Sequence, residues 1–208
     1  MKLIHNKELC KIKYGVWVDG FFTWLDEDCW ICETNVSNQQ KVFTNHEINL
    51  SLTILPMFYG ETMLQVITIQ NSYDRNREIR LFLTQDFKEF AEDSITFYAP
   101  SVQAIVRSYN DRYLLLNGVM NNRGIVQYCT DFEECCSLNE GIVMMQPLSQ
   151  CSEVSIISLE GEIEANQRIE AYFWICNGKN EDEVLNSNTI TQLNLPLVNC
   201  ETQLCSKY

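Results

Sequence analysis

Histidine is scarce in this 208-residue chain, which has only His5 and His46. Two imidazoles are too few for most metal centres or Cys–His catalytic sites. The sequence also lacks the patterns GxGxxG, GxxxxGK(S/T), HExxH and GxSxG. Their absence excludes the commonest nucleotide-binding, metalloprotease and serine-hydrolase motifs, so we expect no metal and no cofactor.

Basic residues are outnumbered, with 15 lysines and arginines against 28 acids and a net charge of −13. The resulting field repels phosphate backbones and anionic headgroups, so we expect no nucleic acid partner and no membrane partner. No stretch approaches the roughly 20 apolar residues that cross a bilayer. No apolar stretch follows the first lysine, as it would in a secretory signal. These features predict a soluble, cytoplasmic protein.

Glycine and proline are also few, at eight and four, and no Gly/Ser/Pro-rich linker divides the chain. Hydrophobic residues make up 46% of the sequence and charged residues 21%, which is typical of a folded globular protein. A single β-sandwich often reaches this length, so we interpret residues 1–208 as one domain.

Cysteine is abundant, and an even count of ten would suggest disulfides in a small secreted protein. Because no signal peptide precedes them, we expect free thiols. Cys29 and Cys32 have the CxxC spacing of zinc and redox sites, but no second ligand pair accompanies them. The adjacent Cys135 and Cys136 lack neighbouring histidines. We therefore interpret both pairs as structural or exposed thiols.

Alternation of apolar and polar residues, which is typical of β-strands, recurs along the chain. It is clearest at residues 15–25, where two β-rich runs flank Asp19 and Gly20, a dipeptide that favours tight hairpin turns. Further strands are predicted at 30–36, 41–46, 47–55, 62–70, 77–87, 95–99, 102–108, 112–119, 125–130, 152–159 and 168–176. Many short strands at this spacing predict an all-β antiparallel sandwich.

Two segments break the alternation, and a helix follows the last strand. Residues 131–141 are predicted as a short helix or a loop, and residues 160–167 as a connection. Asn180 is placed to cap a short C-terminal helix, because Glu181, Asp182 and Glu183 follow it. Their negative charge lies at the positive end of the helix dipole.

Aromatic residues concentrate near the N-terminus and include three of the four tryptophans. Indole faces stack against sugar rings, so Trp17, Trp24 and Trp30 are candidate carbohydrate contacts. Packing in a hydrophobic core accounts for the same residues equally well.

Two groups of titratable residues offer weak candidates for catalysis. Glu47 could orient the imidazole of His46, but the sequence offers no nearby nucleophile. Glu160, Glu162 and Glu164 alternate, and a glycosidase needs two carboxylates across a sugar. Solvated surface charge is the commoner origin of such patterns, so we assign no catalytic residue.

Several motifs together resemble one known domain. The run KIKYGVWVDGFFTWLD at residues 11–26 is similar to a segment in the N-terminal β-domain of bacterial and archaeal glucoamylase-like proteins of glycoside hydrolase family 15. Four later motifs are similar to segments of the same domain: QNSYDRNREIRLF at 70–82, FYAP at 97–100, YLLLNG at 113–118 and AYFWICNGK at 171–179. These motifs span nearly the whole chain in the right order, and each of them is structural.

The resemblance implies a galactose mutarotase-like β-supersandwich, which in the family precedes an (α/α)6 barrel that carries both catalytic glutamates. The family's opening strands are not recognisable before the VWVDG run at residues 16–20, and we expect the barrel to be missing. No catalytic residue of the family carries over to this sequence. The loss of a strand would expose a sheet edge that pairs with another chain, either a second copy or a catalytic-barrel subunit.

The leading hypothesis is a non-catalytic accessory domain that serves the hydrolysis of an α-glucan or oligosaccharide by a separate barrel. The alternative is a free-standing carbohydrate-binding or protein-interaction module, with Trp17 and Trp24 as the sugar platform. A third hypothesis, a small sugar mutarotase, requires His46 and a carboxylate within one cleft.

Overall fold

The structure is a computed structural model that describes residues 11–87, 92–132 and 136–205. The strands of this part of the chain are β1 (Lys11–Val18), β2 (Phe21–Trp24), β3 (Ile31–Asn35), β4 (Gln40–Asn45), β5 (Leu50–Tyr59), β6 (Thr62–Asn71), β7 (Arg77–Asp86), β8 (Ile95–Ala99), β9 (Ala104–Tyr109), β10 (Arg112–Met120), β11 (Gln127–Cys129), β12 (Cys136–Ser137), β13 (Ile142–Val143), β14 (Leu148–Gln150), β15 (Val154–Ile163) and β16 (Arg168–Gly178). A single turn of 3-10 helix spans Leu138–Glu140, and helix α1 spans Glu181–Cys205. The prediction of an all-β fold that ends in a helix is confirmed.

The strands form two main sheets, whose inner faces share one core. The five-stranded sheet has the order β11-β15-β7-β1-β2, and the nine-stranded sheet has the order β14-β8-β9-β10-β16-β6-β5-β4-β3. Strands β12 and β13 form a separate two-stranded ribbon. Neighbouring strands within the two main sheets pair antiparallel, as the alternation predicted.

The core between the sheets is built from every second residue of the long strands, because successive side chains of a strand point to opposite faces. The predicted apolar faces of β5 and β7 both point into it, through the buried side chains Leu50, Leu52, Ile54, Ile79, Leu81 and Leu83. Each such side chain contributes about 1.5–3 kcal/mol through burial of its apolar surface.

The hairpin of β1 and β2 turns at Asp19 and Gly20, as predicted. Their φ angles are 52° and 84°, which suit a two-residue hairpin turn, and Val18 pairs with Phe21 across it. Strand β2 has four residues and forms one edge of the five-stranded sheet. This edge is short, which limits pairing with another chain.

Helix α1 packs on the outer face of the nine-stranded sheet and begins where the sequence predicted. The Asn180 side-chain oxygen accepts a hydrogen bond from the backbone N–H of Glu183 at 2.9 Å. The Glu183 carboxylate accepts one from the backbone N–H of Lys179 at 2.8 Å, which completes a reciprocal cap. Further along the helix, buried Asn188 accepts a hydrogen bond from the indole of Trp174 at 2.9 Å. In the described part of the chain, no helix has the length and apolarity needed to cross a membrane.

The outer face of the five-stranded sheet is also apolar and is covered by a later segment. Buried Phe82 and Ile156 lie there, with Phe132, Leu138 and Val143 packed against them. The short helix or loop predicted for residues 131–141 is a 3-10 turn flanked by β12 and β13, and residues 133–135 lie outside the described part. Both sheets therefore have a cover on their outer face.

Strand β15 is longer than the sequence predicted. The connection expected at residues 160–167 begins only after Ile163, which is fully buried and pairs with Arg77 of β7. Glu160 and Glu162 occupy alternate positions of this strand, directed away from the core that Ile163 enters. Alternating charge here reflects the outward face of a strand.

Candidate functional site

The three candidate tryptophans lie in two different places. Trp17 and Trp24 are half-buried and belong to the apolar cluster on the outer face of the five-stranded sheet. Trp30 is 6% exposed and belongs to the core between the two sheets. The five-stranded sheet therefore separates Trp30 from the other two indoles.

Both outer indoles already have a cation over one face of the ring. The guanidinium carbon of Arg80 lies 4.6 Å from the ring centroid of Trp17, and Lys13 Nζ lies 4.7 Å from that of Trp24. The indole N–H of Trp17 also donates to the backbone carbonyl of Asn139 at 3.2 Å. A sugar that stacked on either of these faces would have to displace the cation.

The inner indole is held by a buried hydroxyl. Trp30 Nε1 donates to Thr23 Oγ1 at 3.2 Å, and the same hydroxyl donates to the Glu27 carboxylate at 2.8 Å. Thr23 is fully buried, so these bonds fix the turn between β2 and β3 against the sheet. Trp30 is thereby placed at the border of an opening between the sheets.

That opening is a cleft with a volume of about 1170 Å³, slightly larger than the usual small-molecule pocket. Its floor is the inner face of the nine-stranded sheet along β5, β6 and β16. The start of β1 and the turn after β2 form the opposite wall. We attribute the cleft to the difference in width between the sheets, because five strands cannot cover the inner face of nine.

Two amides lie on the floor. Residues two apart on a strand point to the same face. On β6, Ile67 faces the core, so Gln65 also faces inward. On β16, Ile175 faces the core, so Asn177 faces inward as well. Gln65 is 8% exposed and Asn177 7% exposed. Among the described residues, none donates a hydrogen bond to Gln65 Oε1 or Asn177 Oδ1.

The orientation of one amide is fixed by its neighbour. Asn177 Nδ2 donates to the Glu61 carboxylate at 3.1 Å, and the Asn177 backbone N–H donates to the Glu61 carbonyl at 3.1 Å. A carboxylate can only accept, so the amide nitrogen must face Glu61 and the oxygen must point away from it. On the other amide, Gln65 Nε2 makes only a weak contact with Met63 Sδ, at 3.8 Å.

The rest of the lining combines aromatic and charged groups. The described aromatic residues are Tyr14, Trp30, Phe43 and Phe58, and the charged ones are Lys11, Lys13, Lys41, Asp26, Glu27, Asp28 and Glu61. Lys13 forms an ion pair with Asp26 at 3.1 Å, with both side chains largely exposed. Apolar surface with a few convergent polar groups is the usual composition of a ligand site.

The remaining sequence candidates lie elsewhere or make structural contacts. His46 and Glu47 are exposed in the turn between β4 and β5, and neither is among the described residues that line the cleft. Glu160 accepts hydrogen bonds from Gln127 at 2.5 Å and Ser158 at 2.9 Å. These contacts give Glu160 a structural role within the five-stranded sheet.

The described cysteines are free thiols, as expected. Cys29 is half-buried beside Thr23 Oγ1 at 3.2 Å, while Cys32 is exposed on β3 and borders the cleft. Within the described ranges, no group of three or more His, Cys, Asp or Glu residues is arranged to hold a metal. The pair formed by Cys135 and Cys136 lies outside the described side chains.

Sequence reasoning missed both floor amides, although a signal was present. In the run TMLQVITIQ of β6, Gln65 occupies the inward register of Met63, Ile67 and Ile69. A polar side chain in an otherwise apolar inward register marks either a bonded core residue or a site. Nothing in the sequence showed that the facing sheet would stop short of this position.

No protein-family model and no curated protein sequence matches this chain. Solved structures do match. A bacterial glucoamylase in complex with acarbose has a TM-score of 0.64 and 14% identity, over 86% of this chain and 28% of its own. A polysaccharide lyase has a TM-score of 0.52 and 7% identity, over 85% of this chain and 27% of its own.

Identities this low show a common fold and nothing more. This chain spans less than a third of the length of either matching protein. It shares the β-sandwich fold of one part of a bacterial glucoamylase.

Proposed function

We propose that this chain is a non-catalytic accessory domain of the glucoamylase type, which serves the hydrolysis of an α-glucan by a catalytic barrel outside residues 1–208. The shared fold and the motifs quoted above support the proposal, as does the 28% share of the glucoamylase chain that the match covers. In this proposal residues 1–208 act as one domain.

The observation that carries the proposal is an apolar outer surface on the nine-stranded sheet. Phe97 belongs to the outer cluster of this sheet, so Ile95, two residues earlier, and Leu148, its cross-strand partner, share that face. Helix α1 packs on this outer face through Val184 and Leu195, and Ile190 and Leu193 lie on its solvent-exposed side. Ile95, Leu148, Ile190 and Leu193 are 43%, 58%, 50% and 74% exposed, respectively.

Exposed apolar side chains on one face mark a surface that binds another protein. We assign the catalytic barrel as the occupant, because a domain that serves a barrel must pack against it. In this arrangement Ile190 and Leu193 are buried at the interface, which offsets the cost of exposing them in the isolated chain.

The first test is the native mass of the protein from its source cells, measured by light scattering and mass spectrometry. We expect a complex with a larger chain that releases glucose from maltodextrin, and no release by the purified chain alone. A monomer in the source cells, or glucose release by this chain, would contradict the proposal. A homodimer would instead favour pairing between two copies.

The apolar outer surface can be tested with charged variants. We expect Ile190→Asp and Leu193→Asp to weaken the complex at least tenfold, because a carboxylate would lose its hydration at the interface. Gln192→Glu, at an exposed position on a different side of the same helix, is the matched control. Equal affinity of all three variants in a pull-down with the native partner would exclude this surface.

The half-buried outer indoles keep a second function open, a free-standing carbohydrate-binding module with Trp17 and Trp24 as the sugar platform. Here a bound glycan would compete with Arg80 and Lys13 for the ring faces, so Arg80→Gln should tighten binding. Quenching of tryptophan fluorescence by α-glucans that disappears in Trp24→Phe would support this function. Unchanged fluorescence on titration would rule it out.

A further inference from the structure

Two buried side-chain oxygens at the floor of the cleft accept no hydrogen bond from the described part of the protein. Gln65 Oε1 and Asn177 Oδ1 both belong to side chains that are more than nine-tenths buried. A buried polar atom without a partner costs about 1–3 kcal/mol. Two such atoms in one cleft are an unfavourable arrangement for stability alone, but a suitable one for a ligand that supplies donors.

We propose that this cleft binds an uncharged oligosaccharide, whose hydroxyl groups donate hydrogen bonds to Gln65 Oε1 and Asn177 Oδ1. The charge of the lining indicates a neutral ligand, and the spacing of the two acceptors indicates an extended one. The choice of an α-glucan among oligosaccharides rests on the proposed function.

The lining favours a sugar over other donors. Amide oxygens accept from hydroxyl groups, and the partly exposed aromatic side chains Tyr14 and Phe58 offer surface for the C–H faces of pyranose rings. A sugar has both features on each residue of its chain, an apolar face and a polar edge. A purely apolar ligand would leave the two acceptors unpaired.

The charge of the lining selects against anionic ligands. Its described part has three lysines and four acids, and one lysine is paired with Asp26. Arginine, the residue that binds carboxylates and phosphates in pairs of hydrogen bonds, is absent from this described lining. Uronates and sugar phosphates therefore find no cationic cluster here, and the acceptors on the floor repel them.

The spacing of the acceptors sets the length of the ligand. Gln65 is opposite Phe173 in the register of β6 and β16, and Asn177 lies four residues further along β16. Four strand residues span roughly 13 Å, which is longer than one pyranose ring. A monosaccharide therefore reaches only one acceptor at a time, whereas an oligosaccharide reaches both.

The test is calorimetric titration of the full chain with maltohexaose, glucose, cellohexaose and an oligogalacturonate. We expect maltohexaose to bind at least tenfold more tightly than glucose, and the oligogalacturonate not to bind. Gln65→Leu and Asn177→Leu should each weaken hexaose binding tenfold or more. Gln70→Leu, on the same strand but on the opposite face, should bind like the wild type, and circular dichroism should show all variants folded.

The outcomes test the binding site and the proposed function separately. Wild-type affinity in Gln65→Leu and Asn177→Leu, binding of the oligogalacturonate, or no binding of either hexaose would overturn the site. Binding of cellohexaose alone, with the same sensitivity to both variants, would support the site and contradict the α-glucan part of the proposed function. Binding of maltohexaose by a chain that is a monomer in its source cells would support the site and contradict the accessory role.

Discussion

Strands β6 and β16 run side by side from a dry core to an open cleft, and the two ends of this ribbon differ in one respect. At the core end, Ile67 and Phe173 are fully buried against the five-stranded sheet, and Phe173, directly opposite Gln65, marks the limit of this core. At the cleft end, Gln65 and Asn177 continue the same inward registers but line the cleft, whose opposite wall is only the start of β1 and the turn after β2. The backbone pairing is continuous through both ends. Coverage by the second sheet therefore decides whether an inward position packs or lines a site.

The comparison also separates stability from function. The core end contributes apolar burial, which is the main favourable term in folding. The cleft end contains two buried acceptors that lower stability as long as nothing donates to them. Mutations at the two ends should therefore act in opposite ways on the free energy of unfolding, and three measurements test this difference.

The largest effect is expected at the core end. Phe173→Ala should lower the free energy of unfolding by about 3–5 kcal/mol, because it removes a buried ring and leaves a cavity. Met63→Ala, on the neighbouring strand at the cleft end, should cost less than about 2 kcal/mol, since the side chain is only partly buried there. Equal losses in urea unfolding would mean that the two ends are packed alike.

A smaller effect, on the pH dependence of unfolding, is expected from the outer face of β16 behind the cleft. Cys176 lies between Ile175 and Asn177 but points under α1, where burial raises the pKa of its thiol to about 11. The folded chain keeps a proton that the unfolded chain loses above about pH 9, so the free energy of unfolding should fall between about pH 9 and 11. The loss should stay below about 3 kcal/mol, at 1.4 kcal/mol per pKa unit.

The control for this pH dependence is Cys176→Ala, which lacks the titrating thiol. All other ionisable groups are the same in both proteins, so the difference between the two curves isolates Cys176. Urea unfolding at several pH values measures both. Curves that fall in parallel would show that the thiol is not sealed beneath the helix.

The smallest change in the free energy of unfolding, a gain and not a loss, is expected from a mutation on the cleft floor. Gln65→Leu should leave the free energy of unfolding unchanged or raise it by up to about 1 kcal/mol, because an apolar side chain replaces an acceptor without a partner. Thermal unfolding without ligand measures this directly. A loss above about 2 kcal/mol would show that the amide stabilises the fold.

Much of the fold was predictable because it depends on local rules. The alternation within β5 and β7, the turn at Asp19 and Gly20, and the helix cap at Asn180 all rest on contacts between residues close in sequence. The sequence predicted that β15 would end at residue 159, because the alternating glutamates after it are equally compatible with a solvent-exposed connection. Only the pairing with β7 shows that these residues form a strand and not a connection.

Local sequence accounts for the period of each strand, the hairpin, the capped helix and the all-β class, since backbone geometry and side-chain patterning dictate them. Tertiary folding established which sheet is wider and therefore which inward residues line the cleft. It placed Trp30 in the core and left Trp17 on the opposite side of the same sheet. It also brought Gln65 and Asn177, 112 positions apart in the sequence, onto one floor. The physical reason is that strand order and sheet width are set by long-range pairing, which no local pattern encodes.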